Sequence, residues 1–206
     1  MVTQTLIDLV RHGEADGGSR LRGGRTDDPL TPRGWQQLHD AVAGGEARDV
    51  VVTSTLQRCR AFATALATEQ GARCCVEPRL DEYDFGSWDG RAFDELWQAE
   101  GDRLAAFFGD PDAVVPPGGE TAEAFRARVR TAWAELIEQH AGSRVLVIGH
   151  GGVLRQIVAD VLGAGGNMHA ALEWPHAGRS RIRVIHAPPD PPSAALVFHG
   201  VPRTGL

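Results

Sequence analysis

Residues 144–152 have the sequence RVLVIGHGG, a short apolar run closed by a histidine and two glycines. An uninterrupted apolar run of this length, bounded by turn residues, is typical of a buried strand. Residues 5–10 (TLIDLV) and 49–53 (DVVVT) repeat the pattern, and a helical segment follows each of the three runs. This alternation predicts an α/β fold, a three-layer sandwich in which helices flank a largely parallel central sheet.

Capping residues and helical periodicity indicate the other elements. Thr31 and Pro32 match an N-cap and a first helical residue, and this helix should run to about residue 43. Residues 54–57 (STLQ) resemble a capping box for a second helix, which should end before Gly71. Further helices are predicted near residues 91–108, 121–140 and 153–162, and further strands near residues 74–77, 181–186 and 194–199. We expect a single domain over residues 1–206.

The charged residues exclude several kinds of chemistry. The chain has 21 basic and 27 acidic side chains, a net charge of −6, and every basic residue is an arginine. Without lysine there is no P-loop lysine for nucleoside triphosphates and no Schiff-base lysine. The acidic balance argues against a nucleic-acid partner. Arginine is the remaining fixed cation, and its planar fork suits phosphate or carboxylate.

The cysteines and the lengths of the apolar segments indicate in which cellular compartment the protein is expected. Cys59, Cys74 and Cys75 are odd in number and two of them are adjacent, so no disulfide framework is expected. The first residues do not resemble a signal peptide, and no stretch of about 18 apolar residues occurs. We therefore expect a cytoplasmic protein without a membrane partner, and leave open whether it forms a homo-oligomer.

The ends of the three apolar runs carry residues suited to chemistry. Arg11 and His12 follow the first run, Arg58 lies in the first turn of the helix after the second, and His150 follows the third. If these strands are parallel neighbours, the four side chains converge in one crevice, where helix N-termini add N–H donors for an anion. The combination predicts a phosphoryl pocket, because fixed cations can neutralise the phosphoryl oxygens. A neutral imidazole can be the nucleophile there, and a carboxylic acid must protonate the leaving oxygen.

Five motifs, in order, resemble those of the histidine phosphatase superfamily, whose fold is called phosphoglycerate mutase-like. They are residues 9–14 (LVRHGE), 54–59 (STLQRC) with Thr64, 80–90 (LDEYDFGSWDG), 117–121 (PGGET) and 147–152 (VIGHGG). The resemblance covers roughly residues 5–165. Five motifs in the family order are a far more specific signal than any one of them alone.

The resemblance implies roles for the matching residues. His12 corresponds to the nucleophile that becomes phosphorylated, and Glu82 to the general acid that later activates water. Asp81 and Asp84 are alternative candidates for the general acid, because only the resemblance to the family selects Glu82. The predicted catalytic residues are His12, Glu82, Arg11, Arg58 and His150, and the predicted phosphate-binding residues are Arg11, Gly24, Arg25, Arg58, His150 and Gly151. The family uses no metal, and we expect no cofactor.

Some positions depart from the family pattern. Many members have threonine and then asparagine after the first motif, where this chain has Ala15 and Gly18. Residues 24–31 (GRTDDPLT) resemble the corresponding loop of α-ribazole phosphatases, and the chain is more compact than phosphoglycerate mutases. The resemblance therefore implies a metal-independent phosphatase that acts on small phosphate monoesters, with α-ribazole 5'-phosphate as one candidate. A mutase-type phosphoryl transferase and a non-catalytic phosphate-binding or interaction module are the alternatives.

Several polar residues are open to a simpler structural interpretation. Three loop arginines can be interpreted either as substrate contacts or as solvent-exposed residues: Arg20, Arg22 and Arg25. Of these, Arg25 is favoured as a substrate contact. Alternation places the side chains of residues 179, 181 and 183 on one face, which we expect to be solvated. Six histidines without ligand spacing are expected to be structural or exposed: His39, His140, His169, His176, His186 and His199.

Overall fold

A central sheet organises the residues that the computed structural model describes, which are 2–164 and 171–201. Its strands within these ranges are β1 (Thr3–Arg11), β2 (Val50–Thr53), β3 (Arg73–Val76), β4 (Arg144–Gly149), β5 (Arg179–His186) and β6 (Ser193–Val201). The order across the sheet is β3-β2-β4-β1-β5-β6. The first four strands are parallel, whereas β5 runs antiparallel to β1 and β6 antiparallel to β5.

Five α-helices within the described ranges connect and cover these strands. They are α1 (Pro32–Val42), α2 (Gln57–Gln70), α3 (Phe93–Gly109), α4 (Ala122–Gln139) and α5 (Gly151–Val161). Thr31 caps α1 by accepting a hydrogen bond from the Gly34 amide, and Gly71 ends α2 with a left-handed φ of 66°. Residue Glu100 interrupts α3 with a φ of −141°, which divides that helix in two. None of the helices described is long and apolar enough to cross a membrane.

Side chains of the parallel strands alternate between two buried clusters, one on each face of the sheet. Leu9 and Val147 belong to the cluster covered by α3, α4 and α5. Their neighbours Val10 and Ile148 belong to the cluster covered by α1 and α2. Because both faces are covered, most of the buried positions in β1, β2 and β4 are apolar. The predicted three-layer α/β sandwich with a largely parallel sheet is confirmed.

The predicted capping box before α2 is wrong. The N-cap of α2 is Leu56, whose side chain makes no capping hydrogen bond, and the first helical amide, of Gln57, donates to the distant Asp27 carboxylate over 2.6 Å. The Ser54 hydroxyl instead lies 2.7 Å from Nε2 of His150, at the end of the neighbouring strand. A buried imidazole needs a polar partner, and this tertiary contact replaces the local cap.

The predicted solvated face on β5 is also wrong for Arg181. Its Nε and Nη2 atoms donate to the Asp8 carboxylate over 2.7 and 3.0 Å. Asp8 is buried on β1, and buried Arg48 approaches the same carboxylate at 3.4 Å. The register that pairs Asp8 with Arg181 across antiparallel strands explains this ion-paired cluster.

Neutralising Asp8 should strongly destabilise the fold. Asp8→Asn leaves Arg48 buried without a counter-ion, and breaking a buried pair in this way costs about 3–5 kcal/mol. The free energy of unfolding, measured by denaturant titration, should fall by that amount. The exposed Asp40→Asn variant is the control, and a loss below about 1 kcal/mol for Asp8→Asn would contradict the expectation.

Candidate active site

The parallel pairing of β1 and β4 brings two histidines together. Arg11 pairs with Gly149 in the sheet register, and the amide of His12 donates to the Gly149 carbonyl over 2.9 Å. His12 and His150 therefore leave the same edge of the sheet, and their ring centroids lie 5.4 Å apart. Both imidazoles are buried. The predicted convergence of strand ends is thus present in the structure.

The backbone decides which nitrogen of His12 is reactive. Nδ1 lies 2.7 Å from the carbonyl oxygen of Gly13, which can only accept a hydrogen bond. Nδ1 therefore carries the proton, and Nε2 of a neutral ring keeps its lone pair. Burial, together with the positive charges of Arg58 and Arg11, lowers the pKa of His12 well below its ordinary value. The result is an unprotonated nitrogen nucleophile.

Two guanidinium groups at this site each have a buried Nε donor without a partner in the part of the chain that the structure describes. Arg11 donates from Nη1 to the Trp174 carbonyl over 2.6 Å, and Arg58 donates to the carbonyls of Gly23 and Thr26. The Nε atoms of Arg11 and Arg58 are both buried and have no hydrogen-bond partner among the residues described. Buried charged donors without a partner are costly, so this part of the site favours an anion.

His150 stands behind these groups with polar neighbours of its own. Its Nε2 is hydrogen-bonded to Ser54, and the Cys59 sulfur lies 3.6 Å from the same nitrogen. Burial and the charge of Arg58 lower the pKa of His150 well below its ordinary value. Burial raises the pKa of the Cys59 thiol to about 12, so this cysteine is not a nucleophile at neutral pH.

Among the three candidate carboxylates, Glu82 faces the cavity at this site. Its two oxygens accept hydrogen bonds from the amides of Gly152 and Tyr83, over 2.9 and 3.0 Å. A Cβ atom on residue 152 would lie 2.4 Å from a Glu82 oxygen, so the contact requires glycine. Asp81 instead binds Thr55, while Asp84 is paired with an arginine.

The cavity has a volume of about 220 Å³, and both polar and apolar residues line it. Its polar side carries Arg11, His12, Glu82, Gly151 and Gly152. The rest of the lining combines apolar and aromatic residues with Arg20, Arg22, Arg155 and His176. Arg58 and His150 lie fully buried next to these residues, and the positive charge of Arg58 acts on both imidazoles.

Gly24 and Arg25 do not lie on the wall of this cavity. Arg25 is exposed, with its Nε 2.7 Å from Asp84 and its Nη2 2.6 Å from the Gly118 carbonyl. Gly24 packs against the Glu82 carbonyl, which a Cβ atom there would approach to 2.8 Å. The Asp89 carboxylate accepts hydrogen bonds from the amides of Gly23 and Arg25. These bonds hold the loop backbone so that the Arg25 side chain is turned away from the cavity. Arg20 and Arg22 line the cavity instead.

Two further cavity residues were not predicted from the sequence. The ring of His176 lies 5.5 Å from that of His12 and is half-buried in the cavity wall, where burial and Arg11 lower its pKa to about 4. The adjacent Ala177 amide donates to the carbonyls of Arg11 and His12, which ties this turn to β1. Arg155 lies one turn after Gly151 on α5, a spacing that could have revealed it. His169 lies outside the described residues.

The buried imidazoles should make stability depend on pH. In the unfolded chain a histidine titrates near 6.5, whereas His12 and His150 stay neutral in the fold at lower pH. As pH falls below about 6.5, the unfolded chain binds protons that the fold does not, so the free energy of unfolding decreases. The expected slope is at most about 1.4 kcal/mol per pH unit for each imidazole.

Denaturant titrations from about pH 7 to pH 5 test this slope. His150→Asn should give a shallower slope than the parent chain, because the carboxylates that also titrate there are common to both proteins. Equal slopes would contradict the expectation.

The fold and the site define an α/β protein with a pocket of arginine and histidine side chains at the carboxyl ends of its parallel strands. Residues 7–190 match the sequence profile of the histidine phosphatase superfamily (branch 1), and the chain belongs to this family.

Curated and structural relatives support this assignment. The chain is 31% identical over 158 residues to the adenosylcobalamin/α-ribazole phosphatase of Escherichia coli, which covers 75% of this chain and 78% of the relative. It is 33% identical over 188 residues to the probable phosphoglycerate mutase GpmB of Klebsiella pneumoniae, covering 88% and 86%. The α-ribazole phosphatase structure from Shigella flexneri superposes with a TM-score of 0.81 at 26% identity, covering 98% of each chain.

Proposed function

We propose that this protein is a metal-independent phosphatase that hydrolyses small phosphate monoesters through a phosphohistidine at His12. The observation that carries the proposal is the tautomer of His12. Its Nδ1 donates to Gly13, which leaves the lone pair on Nε2. The charges of Arg11 and Arg58 act on the same ring, and their buried Nε donors have no partner among the described residues. This combination supplies a nucleophile and the positive charge for phosphoryl oxygens at the same place.

In the first step, Nε2 of His12 attacks phosphorus and the bond to the ester oxygen breaks. Glu82, protonated, transfers its proton to that oxygen, and the alcohol leaves. Negative charge on the phosphoryl oxygens is stabilised by Arg11 and Arg58, with His150 adjacent.

In the second step, water attacks the phosphorus of the phosphohistidine and the bond between nitrogen and phosphorus breaks. The Glu82 carboxylate takes the proton from water, and the electron pair returns to Nε2. Inorganic phosphate leaves, Glu82 is again protonated, and His12 is again neutral with its proton on Nδ1. Each group therefore returns to its starting state.

For the substrate, α-ribazole 5'-phosphate is the candidate that the relatives favour. The E. coli and S. flexneri relatives are named for this activity, and residues 24–31 resemble the corresponding loop of α-ribazole phosphatases. Phosphoryl transfer on a glycerate is the second candidate, because the K. pneumoniae relative is named as a mutase. A purely binding role is disfavoured, since the nucleophile and the acid are both present and both line the cavity.

A panel of phosphate monoesters assayed with a metal chelator tests the proposal. It includes α-ribazole 5'-phosphate, sugar phosphates and 3-phosphoglycerate, and both inorganic phosphate and rearranged glycerate are measured. Release of phosphate is the expected result. Rearrangement of the glycerate without release would establish the mutase alternative, and the absence of any turnover would overturn the phosphatase.

A further inference from the structure

Part of the cavity lining is apolar, and five of these residues form what we call the aromatic wall: Leu21, Tyr83, Phe85, Phe93 and Phe107. Leu21, Tyr83, Phe85 and Phe107 are at most 8% exposed, and Phe93 is partly buried against the same core. The ring centroids of Tyr83 and Phe85 lie 5.0 Å apart, and Phe107 lies edge-on to both at 5.3 and 5.8 Å. Rings packed against one another in this way form a rigid surface.

The aromatic wall presents little polarity to a ligand. The Tyr83 hydroxyl donates to the Glu120 carbonyl over 2.9 Å, so its polar atom is already satisfied. Phe93, at the start of α3, is held over the cavity by its amide, which donates to the Ser19 carbonyl. A ligand therefore meets mainly carbon atoms on this side.

The chain direction places the aromatic wall where an alcohol would leave. Glu82, the proposed proton donor to the ester oxygen, is followed directly by Tyr83, and the Glu82 carboxylate accepts the Tyr83 amide proton. The oxygen that receives the proton thus lies where the polar side of the cavity meets the wall.

The arginines around the cavity are largely committed elsewhere. Arg22 donates to Asp28 and to the carbonyls of Asp16 and Gly18, so it braces the loop of residues 15–30. Arg20 donates to the Gly17 carbonyl. Arg155 lies at the phosphoryl side, because its Nη1 would be 3.0 Å from a Cβ atom on Gly151. These contacts do not build a carboxylate site at the leaving-group side.

We propose that the alcohol part of the substrate carries a planar apolar group, such as an aromatic ring, which packs against the aromatic wall. This inference rests on the proposed phosphatase function, since it assumes that a phosphoryl group occupies the polar side. Burial of an apolar ring is favourable by about 25 cal/mol for each Å² removed from water, and the aromatic surroundings add to it. A small polar alcohol such as a glycerate would leave this wall uncovered.

Phosphonates test the inference by binding alone, because their carbon–phosphorus bond is not a phosphate ester. Isothermal titration with the parent chain should show that 2-phenylethylphosphonate binds at least about tenfold more tightly than ethylphosphonate. Phe93→Ala should remove most of this ratio and leave the ethylphosphonate affinity nearly unchanged. Trp97→Ala is the matched control, since Trp97 is an exposed aromatic residue one turn further along α3 and away from the cavity.

Three results would overturn the inference. These are equal affinities of the parent chain for the two phosphonates, an equal loss of affinity for both in Phe93→Ala, and an equal loss of the ratio in Trp97→Ala. The first of them needs no variant, so the test does not depend on whether Phe93→Ala folds.

Turnover of the matching esters separates this inference from the phosphatase proposal. 2-Phenylethyl phosphate and ethyl phosphate both release primary alcohols, so a higher kcat/KM for the first reports contact with the wall. Phosphate release at equal kcat/KM, with equal phosphonate affinities, would overturn the inference and leave the phosphatase intact. A phosphonate preference without hydrolysis of any monoester would overturn the phosphatase and support the apolar ligand class.

Discussion

His12→Asn is expected to lower kcat by about 10⁴-fold or more, because the nucleophile of both steps is removed. The asparagine side-chain amide can still donate to the Gly13 carbonyl, which His12 Nδ1 does at 2.7 Å, so the loop should keep its conformation. The variant should still bind inorganic phosphate, since the guanidinium donors of Arg11 and Arg58 are unchanged.

Rapid quench into alkaline detergent, with substrate that carries a radiolabelled phosphoryl group, provides the direct measurement. The parent chain should yield an acid-labile phosphoprotein, and His12→Asn should yield none. His39→Asn makes the same chemical change at an exposed position and should behave as the parent does. A His12→Asn variant that keeps more than a few per cent of kcat would show that the nucleophile has been misassigned.

Glu82→Gln is expected to lose activity according to the leaving group. For an alkyl phosphate, the loss in kcat/KM should be about 10²–10⁴-fold, which is the usual contribution of a general acid. For 4-nitrophenyl phosphate the loss should stay within about tenfold, because nitrophenolate departs without a proton. The parameter kcat/KM is the right one, as it reports the steps up to departure of the alcohol.

Hydrolysis of the phosphohistidine, the second step of the reaction, tests the role of Glu82 independently. Without a base to activate water, Glu82→Gln should accumulate the phosphohistidine and show a burst of nitrophenolate followed by slow turnover. Asp84→Asn is the control, because Asp84 belongs to the same loop but pairs with Arg25 outside the cavity. Equal losses for alkyl and nitrophenyl esters in Glu82→Gln would contradict the role of Glu82 as acid.

The sequence predicted the core of the fold and part of the site because both follow from short segments. The apolar runs that became β1, β2 and β4 end directly at reactive residues, and parallel pairing of buried strands aligns those ends. Arg11, His12, Arg58 and His150 therefore meet as expected. Glu82 was chosen over Asp81 and Asp84 by resemblance, and the contacts of all three carboxylates agree with that choice.

The loop residues were harder to place, because their positions depend on distant partners. Arg25 was favoured as a substrate contact, but Asp84 and the Gly118 carbonyl hold it outside the cavity. Ser54 was interpreted as a helix cap and is bonded to His150 instead. In each case a contact between residues more than fifty positions apart outweighs the local preference.

The sequence by itself determined the buried parallel strands, the nature of the residues at their ends and the supply of positive charge by arginine alone. Only the tertiary structure decided how the remaining surfaces close around those residues. The antiparallel return of β5 beside β1 brings His176 within 5.5 Å of His12, and the packing of α3 against the loop after Glu82 builds the aromatic wall. Local patterns encode burial and chain direction, whereas these juxtapositions arise from long-range packing that no single segment specifies.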